Sequence, residues 1–313
     1  MQANIALVCA GQGAQAVGMG RDLLDIFPDG RTLFDQASDT LGFDLARICF
    51  EGPETELLRS DVCQPAIFTV SVICARALQA RLPALAQPGG MAGLSLGEWT
   101  ALHLAGAISF VDALEVLQAR GRFMQEACEA EPGAMLSVIG LDSARLEQLA
   151  GEAGVEVANF NSPEQTVLSG RRASIARAEQ LAREAGAKRA LPLAVAGAYH
   201  SSLMVPAAGQ LARFLVDVPL VAPTVPVLSN VTGRPHGGPE EIRQAMVAQV
   251  TSPVRWLDCV RYFEQQGVGR YVECGPGKVL TGLIKRIASQ RPVLCNVQDV
   301  TSLEAAIKSL AEA

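Results

Sequence analysis

Gly93-Leu94-Ser95-Leu96-Gly97-Glu98 is the stretch that most limits how this chain can fold. An apolar run from Pro65 to Ala75 and a Pro88-Gly89-Gly90 break precede it, and a small-residue helical pattern starting near Trp99 follows. Gly-x-Ser-x-Gly between a strand and a helix describes a nucleophile elbow, a tight turn that lifts a serine hydroxyl into the open. Side chains at the two glycines would collide with the neighbouring strand or helix. The helix N-terminus behind the serine would offer backbone N–H groups and a positive dipole end to a developing oxyanion. Small residues also flank ordinary buried serines, so the pentapeptide alone leaves both readings open.

The rest of the composition suits a large buried core. Hydrophobic residues make up 49% of 313, charged residues 19%, and mean hydropathy is +0.23. That permits one large domain or two moderate ones. A net charge of −6, a pI near 5.2 and dispersed basic residues argue against a nucleic-acid partner. The eight cysteines (Cys9, Cys49, Cys63, Cys74, Cys128, Cys259, Cys274 and Cys295) lie far apart and none forms Cys-x-x-Cys. Buried free thiols in a reducing cytosol are expected, not disulfides or metal ligands. Met1–Ala10 lacks the basic segment of a signal peptide and reads as a first strand, and no apolar run is expected to span a bilayer. The expectation is a cytoplasmic protein without a membrane partner.

Taken in order, a buried strand at 4–10 runs into Gly11-Gln12-Gly13-Ala14-Gln15. The glycine spacing misses Gly-x-Gly-x-x-Gly, which argues against a dinucleotide site. Gln12 is placed either to offer amide donors to a ligand at a strand's C-terminal end or simply as a polar turn residue. Residues 18–60 read as helical, and an amphipathic helix is expected from Gln64-Pro65 to about Leu82. Gly90–Leu94 should be the strand feeding the elbow, with helices at Trp99–Ala107 and Val111–Ala127. Arg120 on the second of these either needs a partner or lies on a solvated face.

Between Pro132 and Ala196 the pattern becomes β-α-β-β-α-β: strands Ala134–Leu141, Val155–Asn159, Thr166–Ser169 and Ala190–Val195, with helices Ser143–Ala153 and Ala173–Ala185. That order is ferredoxin-like. The expected class is α/β: an α/β-hydrolase-like large domain (1–131 and 197–313) carrying an inserted ferredoxin-like subdomain (132–196), with a cleft between them. Downstream, a strand is expected at Val225–Ser229, helices at Glu240–Gln249, Trp256–Gln266 and Val279–Ala288, and a strand at Arg270–Glu273.

A serine nucleophile needs a base, and the chain has three histidines. His103 falls on the helix beyond the elbow and points away from its N-terminus. His236 sits in a Gly/Pro loop expected to be mobile and exposed. His200 follows a strand read as buried (Leu191–Val195) and stands on a small-residue turn at a helix start, the right kind of place for a base. No Asp occupies an obvious strand-end loop between Ser95 and His200, since Asp112 and Asp142 look like helix caps. A Ser-His dyad oriented by a carbonyl therefore suits the sequence better than a triad.

These residues resemble the malonyl-CoA:acyl-carrier-protein transacylases and the acyltransferase domains of polyketide and fatty-acid synthases. The match covers nearly the whole chain through Gly11-Gln12-Gly13-Ala14-Gln15, Gln64-Pro65-Ala66, Gly93–Glu98, Arg120-Gly121 and Asn159-Phe160-Asn161-Ser162-Pro163. It continues through Gly197-Ala198-Tyr199-His200-Ser201, Ser229-Asn230, Gln249, Ser252-Pro253-Val254 and Glu273-Cys274-Gly275-Pro276-Gly277. The resemblance implies that Ser95 is acylated by malonyl-CoA, with His200 as base and then acid. It implies a main-chain carbonyl of Gln249 orienting the histidine, and an oxyanion hole from the N–H groups of Gln12 and Leu96. Arg120 would pair bidentately with the malonyl carboxylate, and Asn161 would lie in the substrate site. Coenzyme A would leave before the phosphopantetheine thiol of acyl carrier protein attacks. No cofactor and no metal are implied, coenzyme A being carried by the substrate, and a monomer is expected.

Three positions depart from the family's commonest pattern. Leu94 stands where His is usual, Cys9-Ala10 replaces Phe-Pro, and Tyr199 stands where Phe or Ser is typical. An aromatic at that last position implies malonyl over methylmalonyl. Competing readings are a serine esterase or thioesterase, an acyltransferase loading methylmalonyl or acetyl, and a non-catalytic binder of coenzyme A or carrier protein. Carrier docking on this acidic chain would need a local basic patch, for which Arg171, Arg172, Lys188, Arg189, Lys278, Lys285 and Arg286 are candidates.

Overall fold

The computed structural model describes residues 4–311; Met1–Ala3 and the final two residues, both counted in the expected large domain, lie outside the described residues. The strands are β1 (Ile5–Cys9), β2 (Gly90–Gly93), β3 (Gly133–Ile139), β4 (Glu156–Ser162), β5 (Gln165–Arg171), β6 (Arg189–Pro192), β7 (Arg270–Cys274) and β8 (Val293–Val297). Two sheets divide them. A parallel sheet runs β2-β1-β7-β8 and an antiparallel one β4-β5-β3-β6. The apolar run Ile5–Cys9 is buried along its whole length, as a central parallel strand covered on both faces must be.

The parallel sheet sets the site. β1 and β2 pair in register from Ala6–Gly90 to Cys9–Gly93, so both strands end together. The Gly11-Gln12-Gly13 loop and Ser95 thus leave the same edge, the carboxyl edge where open α/β sheets bind ligands. Beneath lies the helix Ser60–Arg81. It starts four residues before the expected position and is buried on nearly every side, not amphipathic, because core elements pack against it all round. Contrary to the sequence expectation, its 22 residues are long and apolar enough to cross a bilayer, but 89% of its apolar 18-residue window is buried inside the protein. It crosses the helix Phe110–Ala130 at Gly121, where an added Cβ would stand 2.3 Å from the carbonyl oxygen of Ser60. That close approach brings Arg120 against the elbow.

The antiparallel sheet follows the β-α-β-β-α-β order, with helices Ser143–Ala153 and Arg172–Glu184 and an apolar cluster of its own around Leu136, Leu146, Leu149 and Leu168. The fold is therefore α/β with a second, ferredoxin-like unit. β4 joins the larger body through Phe160 N–H to the Val254 carbonyl (2.9 Å) and Val254 N–H to the Ala158 carbonyl (2.8 Å).

Four further elements differ from expectation. β6 is an edge strand ending at Pro192, and Leu191, Leu193 and Val195 are exposed, so the run before His200 is not a buried strand. Val225–Ser229 forms isolated bridges and not a strand of the sheet, Val227 parallel to Met91 and Leu228 antiparallel to Pro235. β8 and the helix Val300–Ala311, which extend the parallel sheet and cover it, had no counterpart in the sequence reading.

Candidate active site

Ser95 caps the helix Leu96–Leu104 with φ 55° and ψ −105°. It and His200 (φ 58°) are the non-glycine residues with positive φ among those described. Such backbone stores about 1–3 kcal/mol and persists only where the surroundings over-determine it. Here they do. A Cβ on Gly93 would lie 1.9 Å from the Gly97 carbonyl carbon, one on Gly97 2.3 Å from the Cys9 carbonyl oxygen, and one on Gly11 2.6 Å from the Leu94 carbonyl oxygen. Asn230 clamps the turn from outside: its Oδ1 accepts from Ser95 N–H (2.7 Å) and its Nδ2 donates to the Gly93 carbonyl (2.8 Å).

His200 lies 2.9 Å from the hydroxyl, Nε2 to Oγ, and its Nδ1 lies 2.8 Å from the main-chain carbonyl of Gln249. A carbonyl only accepts, so Nδ1 carries the proton and Nε2 is left to accept from Ser95. Burial, then the nearby Arg120 guanidinium, lowers the His200 pKa to about 4, against the pull of the Gln249 and Ser252 carbonyls. The ring is thereby kept neutral near pH 7, as a proton acceptor must be.

Arg120 is buried, which rejects the solvated-face reading. Its Nη1 donates to Gln64 Oε1 (2.7 Å), and its Nη2 donates to Ser95 Oγ (2.9 Å) and Gln249 Oε1 (3.0 Å). Among the described residues no carboxylate pairs with it directly, and Nε has no partner. Burial lowers its pKa to about 10, with Glu98 opposing, so it remains a cation. Three neutral oxygens converge on it, and a carboxylate could replace them.

The other expected site residues fall nearby. Gln12 Nε2 donates to Ser60 Oγ (3.2 Å), which is 3.0 Å from the Tyr199 hydroxyl, and Gln12 Oε1 accepts from Gln64 (3.4 Å). Leu96 opens the elbow helix, where an N–H has no intrahelical acceptor. Asn161 is half-buried on β4 with its Oδ1 unpartnered, and it makes no hydrogen bond to the Ser95 group. His103 is elsewhere, its Nδ1 3.0 Å from the Ile108 carbonyl and its Nε2 3.2 Å from Arg76. His236 corrects the sequence reading: its imidazole is buried against Glu98, Nε2 to Oε1 at 2.7 Å. Glu98 was the missed signal, since a carboxylate on an otherwise apolar helix must find donors somewhere.

The chain from residue 6 to 307 matches the model of the acyl transferase domain family. It is 44% identical over 306 residues to a malonyl CoA-acyl carrier protein transacylase of Haemophilus influenzae, covering 96% of this chain and 97% of that one. The chain belongs to the malonyl-CoA:acyl-carrier-protein transacylase family. It is an acyltransferase. The crystal structure of an acyl carrier protein S-malonyltransferase from Vibrio cholerae superposes with a TM-score of 0.93 at 42% identity, covering 97% of this chain and 99% of that one. A malonyl-transacylase solved in complex with its type II polyketide acyl carrier protein gives 0.93 at 41% identity, with the same coverage of 97% and 99%. Within this transacylase framework Leu94 packs half-buried against the cluster of Trp256 and Val254, an apolar substitute for the family's usual imidazole.

Proposed function

We propose that this transacylase moves a malonyl group from coenzyme A to the phosphopantetheine thiol of acyl carrier protein in a ping-pong cycle through malonyl-Ser95. The observation that carries the reading is Arg120, a buried cation 2.9 Å from the Ser95 hydroxyl with neutral oxygens as its direct partners. A hydrolase of neutral esters has no use for such a charge; an acyl group ending in a carboxylate does.

In the first half-reaction Ser95 Oγ attacks the thioester carbonyl as its proton passes to His200 Nε2. Charge collects on the former carbonyl oxygen, where the N–H groups of Gln12 and Leu96 stabilise it. The carbon–sulfur bond breaks and His200 returns the proton to the departing coenzyme A sulfur. The Gln249 carbonyl holds the imidazole in the Nδ1–H tautomer throughout and stabilises the transient imidazolium, the task an acid performs in a triad. The second half-reaction reverses these steps with the carrier thiol as nucleophile. Arg120 grips the distal carboxylate, and Tyr199, fixed by Ser60, occupies the space an α-methyl group would need. Asn161, with its unpartnered Oδ1, belongs to the substrate cleft in this reading.

Names and solved complexes among the relatives support carrier protein as the acceptor. Buried free thiols at all eight cysteines support a reducing, cytoplasmic setting. The test is intact mass after mixing with malonyl-CoA: a malonyl adduct on Ser95 is expected, discharged rapidly by carrier protein. Release of free malonate at a comparable rate without the carrier would defeat the transferase reading.

A further inference from the structure

Glu98 is wholly buried one turn beyond Ser95, and three donors meet its carboxylate. Oε2 accepts from Gln249 Nε2 (2.6 Å) and Asn230 N–H (3.0 Å), and Oε1 from His236 Nε2 (2.7 Å). The Gln249 amide continues to the other side, where its Oε1 accepts from Arg120 Nη2 (3.0 Å). One side-chain amide therefore stands between a buried carboxylate and a buried guanidinium, with its donor end on the anion and its acceptor end on the cation. Hydrogen bonds in such a chain polarise one another.

We infer that Glu98 is the resting counter-charge of Arg120, relayed through the Gln249 side chain, and that it tempers the preference for acyl groups carrying their own carboxylate. The inference rests on Arg120 being the partner of the malonyl carboxylate. A buried guanidinium is stable only when its charge is compensated. While Glu98 supplies part of that compensation, a neutral acyl group leaves Arg120 in a tolerable state. An arriving carboxylate then gains only the remainder. Without the Glu98 charge, the incoming carboxylate becomes the whole compensation, so discrimination should sharpen. Glu98 is thus a positioning residue acting through Gln249. The bland alternative is a carboxylate that merely ties the Asn230 loop to the elbow helix. Loss of a tie would slow every substrate alike.

Glu98→Gln separates the two. The amide keeps the shape, can turn its oxygen to Asn230 and Gln249, and can donate its NH2 to His236 in the Nδ1–H tautomer. Malonyl-CoA and acetyl-CoA compete for the variant, and acyl-enzyme is read by intact mass. The malonyl-to-acetyl ratio is expected to rise roughly three- to tenfold, the scale of one charge interaction across a protein interior. The KM for malonyl-CoA should fall more than kcat changes. Gln249→Leu cuts the relay while keeping the main-chain carbonyl on His200, shifts the ratio the same way, and serves if Glu98→Gln does not fold. An unchanged or lowered ratio overturns the inference. Arg120→Ala, run in parallel, should collapse the ratio; if it does not, the reading of Arg120 has failed, a different result from failure of the relay.

Discussion

His200 holds its Nδ1 2.8 Å from the Gln249 carbonyl, so an uncharged group orients the imidazole. With Arg120 beside it and no carboxylate behind it, the ring has nothing to raise its pKa into the neutral range.

Acylation should therefore stay flat from pH 8 down to about pH 5, without the break near 6.5 that an unperturbed histidine gives. Stability follows a different course. His103 and His200 titrate near 6.5 when unfolded and about 4 when folded, burial being the main cause for both. Between these values the unfolded chain binds more protons, so stability is complete above about 6.5 and falls as pH drops toward 4. Each histidine accounts for about 3 kcal/mol of that loss. Glu273, whose pKa burial raises, opposes the trend just above its usual range. Thermal melts from pH 7 to 4 together with single-turnover acylation check both claims; a rate loss centred at 6.5 would contradict the site's electrostatics.

Ser95→Ala should abolish the malonyl adduct while leaving the melting temperature within a few degrees of the parent. The turn's positive φ is held by Asn230 and by tight packing at Gly93 and Gly97, not by the hydroxyl. A residual adduct on the variant would remove Ser95 from the mechanism.

Arg120→Ala should lower malonyl transfer by at least about a hundredfold, since a charge-assisted bidentate pair in a buried site is lost. Acetyl transfer should suffer far less. Arg120→Lys should not restore malonyl transfer fully, because an ammonium cannot reproduce the planar fork. An unchanged malonyl/acetyl preference in competition assays would take Arg120 out of the acyl pocket.

Gly121→Ala should cost roughly 2–4 kcal/mol, because the new methyl meets backbone at Ser60 that has no side-chain freedom to yield. Relieving the clash moves the Phe110–Ala130 helix and Arg120 with it. Chemical denaturation and the malonyl/acetyl ratio should both register the change; a near-neutral variant would show that the two helices can separate freely.

Tyr199→Ser should raise methylmalonyl over malonyl loading several-fold by opening the space beside His200, at the cost of the contact with Ser60. Competition between the two thioesters decides it. A ratio identical to the parent's would assign the α-carbon's selectivity elsewhere.

The elbow turn and the alternation of strands and helices in the inserted unit were legible because each depends on local chemistry; His200 does lie beside Ser95, although the buried strand expected before it is absent. The helix Ser143–Ala153 was placed to the residue, since Asp142 caps it and Gly154 ends it. His236 was misread because a Gly/Pro loop looks mobile in sequence; only the fold reveals that its side chain turns inward onto Glu98. The run before His200 was misread for the opposite reason. Leu191, Leu193 and Val195 alternate like a core strand, yet β6 lies at a sheet edge and leaves them exposed. Gln64 and the Gln249 amide carry no sequence signal of contact with Arg120, because they reach it from separate helices.

Gln249 caps the helix Pro239–Ala248 and meets the site twice, by its main chain at His200 and by its side chain at Arg120. One helix end thus carries both the orientation of the His200 imidazole and the grip on the Arg120 guanidinium. Substitutions that tilt this helix through its buried face, at Ile242 or Met246, would shift turnover and acyl-group choice together. Speed and selectivity in this enzyme would then evolve as one trait, with the pitch of a single helix as the common dial.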